Sequence, residues 1–178
     1  MHAGLQQNYF ELFGLPVVYD IDTAALSARY RELQRNIHPD KFTQAADAER
    51  RLAMQLTARA NEALQTLKDP VRRGRYLLQL RGVNTDEETD TAMNAEFLMA
   101  QMAVRERLAE ARTARDAADV LALERELADE LSAKSRALAA HLAENTAQAS
   151  ARARALVREM QFLQKALAEI QALEEEVA

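Results

Sequence analysis

Apolar residues recur along this chain at the three-to-four-residue spacing of amphipathic helices. Leu26, Tyr30, Leu33 and Ile37 fall at i, i+4, i+7 and i+11, one stripe of an α-helix, while Arg29, Arg31, Gln34 and Arg35 occupy the remaining surface. Asp22 is placed to cap the start of this helix, with Ile21 before it positioned to pack on Leu26 as a hydrophobic staple. Pro39 disfavours helical geometry for His38, so the helix is expected to stop there and to leave His38, Pro39 and Asp40 in an exposed turn. From about Ala45 to Lys68 a second stripe follows, built from Leu52, Leu56, Ala60, Ala63, Leu64 and Leu67, and Asp69-Pro70 ends it. Two such helices joined by a polar loop predict an antiparallel pair. Ahead of them Asn8 can cap a short helix carrying Tyr9, Phe10 and Phe13, stopped by Gly14 with Pro16 beyond. After Pro70 another short helix carries Tyr76, Leu77 and Leu80 and ends near Gly82.

The segment from Gly82 to Asn94 breaks the periodicity, and its run Thr85-Asp86-Glu87-Glu88-Thr89-Asp90 reads as an acidic connection. Beyond it the chain is rich in Ala, Leu, Glu and Arg, which favour helices. Three are predicted, at about Ala95 to Arg112, Asp116 to Glu144 and Ala147 to Val177, forming an antiparallel bundle. The last carries Leu156, Leu163, Leu167, Ile170 and Val177 as its expected core stripe. In the first of the three, Phe97, Val104 and Leu108 share one face. Leu98, Met99 and Met102 lie on another side with Arg105 and Glu106 beside them, and Phe162 is displaced from the centre of the last helix's stripe. A Leu/Met patch outside the core is a natural binding surface, because methionine adapts to a partner's shape. The competing reading is that the bundle buries a broad arc and these residues pack against a neighbouring helix or against the N-terminal group of helices.

Composition narrows the picture. With 178 residues the chain has room for one or two domains, and only 4 Gly and 3 Pro argue for an all-α fold over a turn-rich β architecture. The net charge of −5 is unevenly divided. Residues 1–82 hold 12 Lys and Arg against 9 Asp and Glu, whereas residues 83–178 hold 11 against 19, so the two parts present opposite fields. No clustered basic patch with stacking aromatics accompanies this balance, which argues against a nucleic-acid partner. With 0 Cys the sequence offers no thiolate ligand for a metal or cluster and no cysteine nucleophile. His2, His38 and His141 are too dispersed for a zinc motif, so neither metal nor cofactor is expected. No apolar run of membrane-spanning length or secretory leader is recognised, so no membrane association and a cytoplasmic location are expected.

The helix order, the His38-Pro39-Asp40-Lys41-Phe42 sequence, the stretch Asn61 to Pro70, and Arg73 with Tyr76-Leu77 together resemble the J-domain family over roughly Asn8 to Arg81. A J-domain followed by a small helical bundle resembles, more specifically, the HscB family of co-chaperones for iron–sulfur cluster assembly. That likeness is carried by Tyr9 to Pro16, His38 to Phe42, Phe97-Leu98-Met99, Arg105-Glu106 and Phe162-Leu163. The resemblance implies a J-domain at 1–82, an acidic linker at 83–94 and a three-helix bundle at 95–178. It implies that Arg29, Arg31, Arg35, His38, Pro39, Asp40 and Lys41 engage an HscA-type, DnaK-like chaperone and stimulate its ATPase. It likewise implies that Leu98, Met99, Met102, Arg105, Glu106 and Phe162 hold an IscU-type scaffold protein. Two positions depart from the family pattern: Ala103 stands where an acidic residue is frequent, and Gly74 weakens its helix by about 1 kcal/mol relative to Ala. Some eukaryotic relatives carry a cysteine-rich N-terminal extension, and its absence from this sequence leads to the expectation of a bacterial type.

The expected role is therefore non-enzymatic, with no catalytic residues and no metal site of its own. Two rival readings make different demands. A general J-domain protein would recruit unfolded clients through the bundle. An enzyme using His38 and Asp40 as an acid–base pair would enclose His38 in a pocket, whereas a docking loop leaves it exposed.

Overall fold

The computed structural model describes residues 5–38, 41, 46–85, 95–114 and 117–177, and among them there are helices and no strands. The chain divides into two compact units, residues 1–77 and 78–178. The expectation of an all-α fold holds. The boundaries of the helices lie within a few residues of those read from the periodicity.

In the first unit, α1 (Tyr9–Leu12) is a single turn held at both ends. The Asn8 side chain accepts from the Glu11 amide at 3.0 Å and the Glu11 carboxylate accepts from the Asn8 amide at 2.9 Å, a reciprocal cap that satisfies two otherwise orphaned donors. Gly14, at φ +60°, ends it: the Gly14 amide donates to the Glu11 carbonyl and the Leu15 amide to that of Phe10, the paired bonds of a Schellman motif. Helix α2 (Thr23–Ile37) starts where Asp22 Oδ1 accepts from the amides of Ala24 and Ala25 at 2.8 and 3.0 Å. It ends at His38, whose ψ of 129° has left the helix one residue before the proline.

Helix α3 (Asp47–Lys68) lies against α2. Tyr30 Oη donates to Asn61 Oδ1 at 2.8 Å, and the Thr57 hydroxyl reaches the Ile37 carbonyl at 3.4 Å. As the chain advances along α2 its partner on α3 recedes, so the two run antiparallel as expected. Ala53, Leu56, Ala60, Ala63 and Leu67 are buried on α3, and Leu26 and Ile37 on α2. The cluster around Ile37, Leu56 and Ala60 is flanked by Leu5, Leu12, Tyr30 and Leu33. Leu52 and Leu64 are half-buried at the edges of the stripe.

Helix α4 (Pro70–Leu80) opens with proline, whose missing N–H costs nothing at a helix start. Asp69 Oδ1 accepts from the Val71 and Arg72 amides at 2.8 and 2.9 Å. Arg73 is buried, donates to the Leu67 carbonyl at 2.6 Å and lies 4.9 Å from the Tyr19 ring centroid. It thereby ties the loop after α1 to the end of α3, and burial lowers its pKa against the opposing pull of Tyr19, Asp20 and Asp69. Gly74 is buried within the helix. Tyr76 stacks on Tyr9 with centroids 4.4 Å apart, its hydroxyl accepts from the Tyr9 amide at 3.0 Å, and the Arg59 guanidinium sits 5.2 Å from the Tyr9 ring.

The second unit contains α5 (Ala95–Ala114), α6 (Ala117–Ala143) and α7 (Ala147–Val177). Helices α6 and α7 form a long antiparallel hairpin joined by Glu144, Asn145 and Thr146. Thr146 Oγ1 accepts from the Ala149 amide at 3.1 Å and so caps α7. Leu138 and Leu142 on α6 and Ala149, Ala153, Val157 and Met160 on α7 are buried along the half of the hairpin next to this loop. In the other half, Ala111 of α5 joins Val120, Leu123, Leu127, Leu163, Ala166, Ile170 and Leu173 in one core.

The sequence-based stripe on α7 was Leu156, Leu163, Leu167, Ile170 and Val177. Leu163 and Ile170 are buried as expected, Leu156 and Leu167 are only half-buried, and the side chain of Val177 lies outside the described residues. The true seam includes Ala149, Ala153 and Ala166, because small side chains let two helices approach closely and counting large apolar residues overlooks them. Lys134 of α6 crosses the seam to Glu159 at 2.6 Å and to Glu130 on its own helix at 3.3 Å. Burial works against its ammonium, but the two carboxylates outweigh that and raise its pKa.

Residues 78–85 belong to this second unit. Gly82, at φ +73°, closes a second Schellman motif, with its amide donating to the Gln79 carbonyl and that of Val83 to Leu78. The Arg81 guanidinium donates to the carbonyls of Leu142 and Glu144, a cationic cap on the C-terminal end of α6. Thr85 is buried. The rest of the acidic run, residues 86–90, lies outside the described residues.

The Tyr9 phenol carries a testable signature. Burial, together with its hydrogen bond and proximity to Glu62, raises its pKa from 10.0 to about 12. The folded state holds this proton more tightly than the unfolded chain. The corresponding stability is whole below the unfolded value near 10 and is lost as pH climbs through the folded value near 12. In an alkaline absorbance titration one tyrosine should therefore ionise late, and Tyr9→Phe should remove that phase; its persistence in the variant would show the assignment to be wrong.

Candidate docking surfaces

The apolar stripe of α2 faces α3, which turns the opposite side of α2 to solvent. Arg31 and Arg35, four residues apart, and His38, three further on, share that side. With Lys41, Ala28 and Gln34 they line an open depression of about 690 Å³. Arg31, Arg35, His38 and Lys41 are all exposed. The surface is therefore a shallow basic hollow suited to carboxylates, which arginine grips with a planar fork of donors. It does not enclose His38 as an acid–base site would. Arg29, which the resemblance groups with Arg31 and Arg35, lies on a different side of the helix and pairs with Glu32 at 3.9 Å, both well exposed. Pro39 and Asp40 lie outside the described residues.

On the second unit, α5 packs on the hairpin through Val104, Leu108 and Ala111. Phe97 is half-buried and meets Phe162 of α7 edge to face, with centroids 6.0 Å apart and planes at 88°. At about 100° of rotation per residue, Leu98, Met99 and Met102 point away from that contact. Leu98 is 38% exposed, Met99 71% and Met102 69%, so the reading in which these residues pack within the bundle does not apply to the two methionines. Arg105 and Glu106 are exposed beside them. Leucine and methionine this accessible, on one flank of a helix whose core face is already occupied, form an unfilled apolar contact surface.

Phe162 has a different position from the other residues of this candidate group. It is half-buried and packs on the core around Leu163 and Ile170, so it supports α5 as well as edging the surface. Arg105 also borders a notch of about 150 Å³ between α5 and α7, with Leu108, Ala109, Arg112, Glu169 and Leu173. The sequence reading did not single out Arg112 or Glu169. The seven-residue interval between Arg105 and Arg112, two helical turns, is the signal that places both arginines on one flank.

On the opposite flank of α5, Arg107 is engaged with Glu126 of α6 at 2.7 Å. Among the described residues no group of three or more His, Cys, Asp or Glu is arranged to hold a metal ion. No described helix is long and apolar enough to cross a membrane.

The difference between Phe162 and Met99 is measurable. Phe162→Ala should lower the unfolding free energy by about 2 kcal/mol, through lost burial and the lost aromatic contact with Phe97. Met99→Ala should change it by no more than about 0.5 kcal/mol. Denaturant unfolding of the two variants tests this, and equal destabilisation would mean that Met99 is part of the core.

The chain resembles known proteins over most of its length. Residues 93–171 match the family described as the HSCB C-terminal oligomerisation domain. The chain is 51% identical over 142 residues to a co-chaperone protein HscB homolog of Cupriavidus taiwanensis, covering 80% of this chain and 81% of that one. To the co-chaperone protein HscB homolog of Burkholderia thailandensis it is 44% identical over 170 residues, covering 96% and 95%. Among solved structures, the chaperone HscB from Vibrio cholerae superimposes with a TM-score of 0.85 at 35% identity, over 97% of this chain and all of that one. Human co-chaperone protein HscB gives 0.85 at 28% identity, over 93% and 81%. With relatives this similar over nearly its whole length, a basic hollow on one unit and an exposed Leu/Met flank on the other, the chain belongs to the HscB family of co-chaperones.

Proposed function

We propose that this protein is a non-enzymatic co-chaperone that binds an IscU-type iron–sulfur scaffold through its bundle and delivers it to an HscA-type, DnaK-like chaperone. Its J-domain then stimulates that chaperone's ATPase. In this reading residues 1–82 are the J-domain, 83–94 the linker and 95–178 the scaffold-binding bundle, and the protein acts in the cytoplasm. The observation that carries it is the exposure of Leu98, Met99 and Met102 on a bundle helix in a chain of this family. Such a surface is suited to a folded partner with an apolar patch of its own. Arg105 and Glu106 beside it offer charged groups that set the orientation of docking.

The chaperone contact relies on Arg31, Arg35, His38 and Lys41 of the basic hollow, together with Pro39 and Asp40, which follow His38 in sequence, and with Arg29 contributing from another side of α2. Exposed arginines attract an acidic partner and make bidentate contacts to its carboxylates. A proline beside His38 limits the turn's freedom, which favours a fixed arrangement of imidazole and carboxylate on the partner's surface. The co-chaperone need not supply a catalytic group. It acts by binding more tightly to the conformation of the chaperone that hydrolyses ATP. Hydrolysis would then tighten the chaperone's hold on the scaffold and favour cluster release.

Single-turnover ATP hydrolysis by the cognate HscA-type chaperone, with and without the scaffold, tests both contacts. The native chain and the scaffold should stimulate synergistically. His38→Gln should abolish stimulation while leaving scaffold affinity intact, and Leu98→Ala combined with Met99→Ala should weaken scaffold binding tenfold or more, roughly the value of two buried apolar side chains, with J-domain stimulation retained. Stimulation indifferent to the scaffold would point instead to a general J-domain protein, a role that preferential binding of denatured clients would support. No stimulation by a folded sample would overturn the proposal.

A further inference from the structure

Among the described methionines, Met160 is fully buried in the bundle core, Met54 is exposed on α3, and Met99 and Met102 are exposed one helical turn apart on α5. The chain contains 0 Cys. The thiolate that ordinarily intercepts a peroxide first is therefore absent, and thioethers are the only sulfur the protein presents. Among the described residues, the two most accessible stand together on the apolar flank of α5. Leucine, as at position 98, would supply comparable apolar area with less adaptability and would be inert to oxidants. The choice of methionine at positions 99 and 102 gives the same surface an additional chemistry.

We propose that Met99 and Met102 form an oxidation-sensitive element of the scaffold-docking flank, through which a hydroperoxide weakens partner binding without unfolding the protein. The inference rests on the docking reading given above. In the reaction a sulfur lone pair attacks one oxygen of the peroxide. An S–O bond forms, the O–O bond breaks, the proton of the transferred hydroxyl passes to the departing oxygen, the thioether is oxidised by two electrons to the sulfoxide, and the hydroperoxide is reduced to the corresponding alcohol, or to water in the case of hydrogen peroxide. The product replaces a flexible apolar side chain with a polar one bearing a strong hydrogen-bond acceptor. Burying that oxygen in an apolar interface strips it of water with no donor provided for it, which disfavours docking. The fold is insulated from the change, because neither side chain contributes to the core and the buried Met160 is shielded from the oxidant.

The test uses the full chain, hydrogen peroxide and a purified IscU-type scaffold. Mass spectrometry should find Met99 and Met102 oxidised ahead of Met160, scaffold affinity should fall at least about tenfold, and thermal unfolding and stimulation of the chaperone in the absence of scaffold should be unchanged. Treatment with methionine sulfoxide reductases should restore affinity. For Met99→Leu combined with Met102→Leu, whatever its starting affinity, the ratio of affinities before and after peroxide should stay near one, while Met54→Leu should remain as sensitive as the native chain. Undiminished binding with both methionines shown to be oxidised would overturn the proposal, as would equal sensitivity of the double Leu variant. Failure of the untreated chain to bind the scaffold would instead overturn the docking reading itself.

Discussion

The second unit depends on how closely α6 and α7 approach each other. Ala149, Ala153 and Ala166 lie on the buried line of α7, where a larger residue would hold the helices apart, and the hairpin's larger apolar residues fill the space left on either side. Lys134 crosses the same seam with carboxylates on both helices. The third helix has only one side of this hairpin to cover. At 20 residues against 27 and 31, α5 packs over the part of the hairpin remote from the α6–α7 loop. It uses Phe97, Val104, Leu108 and Ala111 for the purpose and leaves Leu98, Met99 and Met102 largely in water. The exposed methionines are thus a by-product of geometry: a helix laid on a completed pair has more circumference than it can bury.

The same logic applies to α2. Its stripe is used up against α3, and the basic residues are what remains on the far side. In both units the ends of the elements are fixed by local chemistry. Asn8 and Glu11 close one turn, Asp22 starts α2 and Asp69 starts α4. Two glycines at positive φ stop α1 and α4 with the same bonding pattern. Fixed ends matter because the register of a helix decides which residues face the partner. Had α2 continued through residue 38, His38 would have been carried on around the helix rather than released where the chain turns.

Much of this was legible in the sequence because helical periodicity, caps and proline stops act locally. Leu26, Ile37, Leu56, Ala60 and Leu67 could be placed in a core from spacing alone, and Gly14 and Gly82 as stops from residue type. The features that spacing does not contain share a physical cause. The α7 stripe was read from large residues, yet close helix packing selects small ones. The ring of Phe162 meets that of Phe97, a contact between helices that no single-helix pattern contains. Charge alone does not separate Arg29 from Arg31, although two residues turn one about 200° around the helix from the other. The buried Arg73, with its carbonyl and aromatic partners, likewise depends on residues distant in sequence.

The one-sidedness of α2 has a consequence for association kinetics. Arg31 and Arg35 are about 5–6 Å apart at Cβ, as i, i+4 neighbours on a helix are, a spacing shorter than the Debye length of about 8 Å at physiological ionic strength. An approaching acidic surface therefore meets them as one multivalent source. Arg29, on another side, has its field reduced by Glu32. The torque on a passing acidic partner is directional, turning it toward the hollow before any contact is made, and added salt would remove that preference from the encounter rate well before it disrupted the contacts of the bound complex.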